Sequence, residues 1–68
     1  MSYKVGHIDV WDTDGHFHQI FAAGTNPIIA KRIVNEVYPK YKKAELIIMT
    51  YDNNTHIHID GKDKVIKL

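Results

Sequence analysis

Two His-x-His pairs are the residues most suited to chemistry in this chain, "HFH" at 16 to 18 and "HIH" at 56 to 58. They hold four of the five histidines in 68 residues. Alternate residues of a strand project to one side, so each pair can aim two imidazoles at one ion, and two pairs on adjacent strands would make a four-nitrogen zinc site. A histidine beside an aspartate on a neighbouring strand is also the raw material of a general acid/base. What the pairs can do depends on the elements that carry them.

Residues 3 to 11, "YKVGHIDVW", and 16 to 22, "HFHQIFA", are rich in β-branched and aromatic types and flank "DTDG", whose Asp14-Gly15 suits a tight turn. A two-residue turn there sets Ile8 opposite Phe21, Val10 opposite Gln19 and Asp12 opposite Phe17 on one face. The other face then pairs Trp11 with His18, Asp9 with Ile20 and His7 with Ala22. After Gly24, Thr25 or Asn26 can cap a helix from Pro27 to Tyr38, with Pro27 in its first turn. At about 100° per residue, Ile29, Ala30, Ile33, Val34 and Val37 gather on one side and Lys31, Arg32, Asn35 and Glu36 on the other. "ELIIMTYD", 45 to 52, is a third strand, "NN" a second turn and "THIHID" the return strand. That turn sets Thr50 against Ile57, Ile48 against Ile59, Tyr51 against His56, Met49 against His58 and Ile47 against Asp60. Asp60-Gly61 offers one more turn, after which "KVIKL" adds a short edge strand.

The expected fold is one α+β domain of order ββαββ over residues 1 to 68, with a mostly antiparallel sheet of four strands, or five if "KVIKL" joins the edge. The expected strand order places the first and third strands in the centre. One helix can roof only one side of such a sheet. The covered set is Ile8, Val10, Phe17, Phe21, Leu46, Ile48, Ile57 and Ile59 against Ile29, Ile33 and Val37. Left on the open side are His7, Asp9, Trp11, His16, His18, Ile20, Ile47, Met49, Tyr51, His56, His58 and Asp60. An open antiparallel face ordinarily alternates to small polar and charged residues, and one carrying Trp, Met, Tyr and isoleucines marks an interaction surface. The binding residues expected there are His7, Trp11, His18, Ile20, Ile47, Met49, Tyr51, His56 and His58.

The same strand order weakens the metal reading. The two pairs fall on opposite edges, three strand spacings or roughly 14 Å apart, beyond the reach of one zinc ion with bonds of about 2 Å. "HIHID" resembles the start of the His-x-His-x-Asp-His motif of the metallo-β-lactamase fold, with His56, His58 and Asp60 in matching places and Gly61 where the last histidine would stand. "HFHQ" resembles the His-x-His of cupins, with no glutamate at the spacing that family uses. Both likenesses cover only those few residues, and no metal or other cofactor is expected.

Nine Lys plus Arg against eight Asp plus Glu give a formal charge of +1, without the strong basic excess that announces a nucleic-acid binder. The absence of cysteine removes disulfides and thiolate metal sites and fits a reducing compartment. No long apolar run reads as a leader or a membrane span, so a cytoplasmic protein without a membrane partner is expected. No oriented nucleophile accompanies the histidines: Ser2, Thr13, Thr25, Thr50 and Thr55 fall mostly at turns, at a cap or on the covered face, so no catalytic residue is expected. A cysteine-free chain of this size gains stability from association. The function expected is that of a small non-enzymatic binding protein, an adaptor, modulator or self-associating component, with a protein partner or a dimer. The alternative is a single-stranded nucleic-acid binder using the same face, or using Lys31, Arg32, Lys40, Lys42 and Lys43 around the helix exit for phosphates.

Overall fold

The computed structural model describes residues 1–21 and 24–68. It consists of β1 (Ser2–Trp11), β2 (Phe17–Ile20), α1 (Pro27–Val37), β3 (Lys43–Asp52) and β4 (Lys64–Lys67). The four strands form one antiparallel sheet in the order β2-β1-β3-β4, and the helix lies on one side of it. This is the small α+β fold that the hydrophobic patterning predicts.

β1 and β3 are the spine. They pair without interruption from Ser2↔Asp52 to Trp11↔Lys43, and their alternate residues Ile8, Val10, Ala44, Leu46 and Ile48 are buried on the helix side. Period-two alternation sends one set of side chains inward and the other outward. α1 closes this core with Ala30 and Val34. Its start follows from Asn26, whose Oδ1 accepts from the N–H of Ile28 at 2.9 Å, and from Pro27 in the first turn. Its end follows from Pro39, which disfavours helical geometry at Tyr38. Ile33 packs at the margin of the core, whereas Ile29 and Val37, expected beneath the helix, are about half exposed. An 11-residue helix is about 16 Å long, and ten-residue strands run about 33 Å. The helix therefore roofs only the Trp11 half of the spine.

The β1–β2 hairpin departs from the expected register by one residue. The N–H of Gly15 donates to the carbonyl of Asp12 at 3.0 Å, Gly15 takes φ +83°, and the N–H of Asp12 donates to the carbonyl of His16 at 3.0 Å. This is a three-residue loop, a type I turn followed by a left-handed glycine. The resulting pairs are Ile8↔Ile20, Asp9↔Gln19, Val10↔His18 and Trp11↔Phe17. A slip of one residue reverses the faces of a strand: His18 and Ile20 lie on the helix side, and Phe17 and Gln19 on the open side. Asp12 causes the difference, because its Oδ1 accepts from the N–H groups of Asp14 at 2.9 Å and His16 at 3.0 Å and so stabilises the longer loop. The expected His7–Ala22 pair lies outside the described residues.

The segment "THIHID" is not a regular strand. Asp52 Oδ1 accepts from the N–H groups of Asn54 at 2.8 Å and Thr55 at 2.9 Å, and His56 takes φ +58°, which breaks the ladder after β3. Pairing resumes only as the isolated bridge Tyr51↔His58 and the bond from the N–H of Ile59 to the carbonyl of Thr50 at 2.9 Å. Here the displacement from the expected Tyr51–His56 pairing is two residues, which preserves the faces. His58 stays with Tyr51, while Ile57 and Ile59 alternate to the other side; Ile57 is 66% exposed rather than covered. The edge of β3 is instead filled by β4, through Glu45↔Lys67, Leu46↔Ile66, Ile47↔Val65 and Ile48↔Lys64.

Candidate interaction face

The side of the sheet opposite α1 is built from the outward residues of all four strands. Across the sheet, Phe17, Trp11 and Lys43 share one row; Gln19, Asp9, Glu45 and Lys67 the next; His7, Ile47 and Val65 the third; then Val5 with Met49, and Tyr3 with Tyr51 and His58. Val5 is 44%, Phe17 50% and Val65 56% exposed, and Phe21, whose ring lies 5.9 Å from that of His7, is 69% exposed. Aromatic neighbours fix one another here. The Tyr3 and Tyr51 rings stack at 5.7 Å, His58 lies 5.5 Å from Tyr51, and Trp11 lies 5.0 Å from Phe17 with the Lys43 ammonium 4.9 Å from its own ring centre.

The one acidic row is compensated within the face. Asp9 and Glu45 are cross-strand neighbours, a like-charge pairing that is unfavourable when left alone. Gln19 Nε2 donates to Asp9 at 3.0 Å, His7 Nε2 lies 3.3 Å from the same carboxylate oxygen, and Lys43 Nζ lies 3.7 Å from Glu45.

Every histidine has a polar partner within the chain. His58 has a carboxylate at each ring nitrogen, Asp63 2.7 Å from Nε2 and Asp60 3.3 Å from Nδ1. Only the imidazolium can donate on both sides. The Asp63 hydrogen bond, aided by the charges of Asp63 and Asp60 and opposed by partial desolvation, raises the His58 pKa above its ordinary value. His56 Nδ1 lies 3.1 Å from the Tyr3 hydroxyl. On the helix side, His18 stacks on Tyr38 at 4.7 Å and places Nε2 2.9 Å from Asp12 Oδ2, and His16 Nδ1 is 3.8 Å from the same oxygen. The His18 bond, with the backbone donors of the turn, holds the Asp12 carboxyl below the usual range.

Of the binding residues expected from sequence, the structure brings His7, Trp11, Ile47, Met49, Tyr51 and His58 onto the open face, with His56 at its rim beside Tyr3. His18 and Ile20 are on the opposite side, for the reason of register given above. Tyr3, Val5, Phe17 and Phe21 belong to the face and were not expected there; the parity of Tyr3 and Val5 with His7 was the available signal. Of the cations proposed for phosphates, Lys43 stands over Trp11, Lys42 is beside it, and Lys31 and Arg32 are on the outer side of α1. Lys40 lines a hollow with Asp12 and Tyr41.

The two His-x-His pairs do not meet. His18 sits opposite Val10 and His58 beside Tyr51, the partner of Tyr3, so roughly 23 Å of β1 separates them, and they lie on different faces. Asp12, Asp14 and His16 do bring ligand atoms within 4.8 Å of one another. Both oxygens of Asp12 are already occupied there, by His18 and by two backbone donors. No family model, curated protein or solved structure matches this chain.

Proposed function

We propose that this chain is a small non-enzymatic binding protein that works through its open sheet face, and that the first partner of that face is a second copy of itself. The observation that supports this reading is the size and composition of the unroofed side. The molecule measures 40 × 20 × 15 Å, so its broad face offers a footprint of about 800 Å², which is what each partner contributes to an interface of standard size. Its accessible surface is 4791 Å², against about 4,400 Å² expected for a compact monomer of 7.9 kDa. The face combines Trp, Tyr, Phe and Met, the types enriched at interface cores.

Charge selects the geometry of the pair. A two-fold axis along the strands would set Asp9 over Glu45 of the other copy. An axis across the strands, passing near Gly6 and Ile48, instead sets the Asp9–Glu45 row over the hydroxyls of Tyr3 and Tyr51, and His7 and Ile47 over Val5 and Met49. Phenol donors then meet carboxylate acceptors, and apolar rows meet each other. Sedimentation equilibrium from micromolar to millimolar concentration tests the reading. Dimerisation by the wild type, lost in Val5→Lys and weakened in Tyr3→Phe, is the expected result. A monomer at every concentration overturns it.

A further inference from the structure

Four of the eight acidic residues, Asp9, Asp12, Asp60 and Asp63, pair with histidines, and most of the cations are left without an ion-pair partner. Among the described residues, every ion pair except Lys43–Glu45 joins an aspartate to a histidine. Lys31, Arg32, Lys42 and Lys67 have no such partner, and the surface connects them. A groove of about 580 Å³ runs between the outer side of α1 and the end of β4, lined by Ile28, Lys31, Arg32, Glu36, Lys67 and Leu68 among others. Lys67 and Leu68 also line the next hollow, with Tyr41, Lys42 and Lys43. Lys42 and Lys43 in turn line a third beside Trp11. The result is a band of five cations wrapping the β4 edge, with Glu36 and the paired Glu45 as the acids along it.

We propose that this band, which meets the open face at Trp11, Lys43 and Lys67, is a second binding surface, for the phosphodiester backbone of single-stranded nucleic acid. A polyanion is the complement that the charge demands. Rings at Tyr41, half-buried against the core, and Trp11, beside Phe17 and Lys43, are interleaved with the cations, and a sugar-phosphate strand uses both, its phosphates on the ammonium and guanidinium groups and its bases on the exposed parts of the rings. An acidic peptide would use only the first. The band keeps Lys31, Arg32, Lys42 and Lys43 of the cations expected from sequence and adds Lys67, while Lys40 lies in a neighbouring hollow beside Asp12 that shares only Tyr41 with it.

Fluorescence anisotropy with a labelled single-stranded oligothymidylate, titrated at several salt concentrations, tests the proposal. Five phosphate contacts give a slope of log K against log salt of about −3.5, at about −0.7 per contact. The exposed triple variant Lys31→Gln, Arg32→Gln, Lys67→Gln should reduce the magnitude of that slope by about 2 and weaken binding at low salt, while Lys40→Gln changes neither. Circular dichroism confirms that the triple variant remains folded. No binding at low salt overturns the proposal, as does a slope that the triple variant leaves unchanged. Displacement of the oligonucleotide by polyglutamate at equal charge concentration also overturns it, in favour of an acidic protein segment. Tyr3→Phe, which weakens association through the open face, should bind the oligonucleotide with the wild-type slope, so failure of this surface is distinguishable from failure of that association.

Discussion

Gly6 sits in the middle of β1, buried and on the helix side, where a strand ordinarily carries a packing side chain. A Cβ at this position would lie 1.8 Å from the carbonyl oxygen of Gly24 and 2.8 Å from its carbonyl carbon. The obstacle is backbone, and it belongs to the chain that leads into α1, two residues before the Asn26 cap. In Gly6→Ala the connection must retreat by more than 1 Å to restore ordinary contact, carrying the helix start with it. Overpacking of this kind costs about 1–3 kcal/mol. In a domain of this size each kcal/mol lowers Tm by about 4–8 °C, so a fall of about 4–24 °C is expected. Thermal unfolding followed by far-ultraviolet circular dichroism measures it, with the wild type at the same protein concentration as the reference. Equal Tm values for Gly6→Ala and the wild type would refute the close approach of Gly24 to β1, and with it the placement of α1 over Ile8 and Val10.

Leu46 is fully buried at the centre of the core, and Leu46→Ala should cost about 2–5 kcal/mol; Val65→Ala, on the open face, should stay within about 0.5 kcal/mol. Urea denaturation of the pair separates a buried from an unroofed position on the same ladder. The raised pKa of His58 predicts that the anchoring of residues 57–63 is fully present below the unfolded histidine value, near 6.5, and is lost as pH rises through the higher folded value. An NMR titration of the His58 ring should place its midpoint above those of the model imidazole, and Asp63→Asn should bring it down. The lowered Asp12 carboxyl acts in the opposite direction: its contribution is present above the unfolded aspartate value and is lost as pH falls through the folded one, so His18→Ala should raise the Asp12 midpoint in an NMR titration of its carboxyl.

The fold was legible in sequence because its spine is long and strictly alternating. Ile8 and Val10 against Leu46 and Ile48 leave one arrangement that buries both sets, and Asn26-Pro27 and Pro39 bracket the helix with local chemistry. Less legible are side chains that act on backbone in turns. Asp12 reads as a strand residue, yet its carboxylate collects two turn N–H groups and lengthens the β1–β2 loop by one residue, which exchanged His18 and Ile20 for Phe17 and Phe21 on the open face. Asp52 does the same after β3, displacing "THIHID" from the ladder, but a slip of two left His58 where parity had put it. The interaction face was therefore legible along β1 and β3 and illegible along β2. The Gly6–Gly24 approach had a trace in sequence, a glycine inside an otherwise bulky strand, which marks a bulge or a close neighbour.

Methyl-resolved NMR with a soluble paramagnetic agent tests the use of the open face most directly. The methyl groups of Val5, Ile47, Met49 and Val65 report on that face, and those of Ile28 and Ile29 on the exposed helix side. On raising protein concentration through the association range, the first group should lose its solvent relaxation enhancement while the second keeps it. Protection of Ile28 and Ile29 with the sheet methyls still fully accessible would contradict the account.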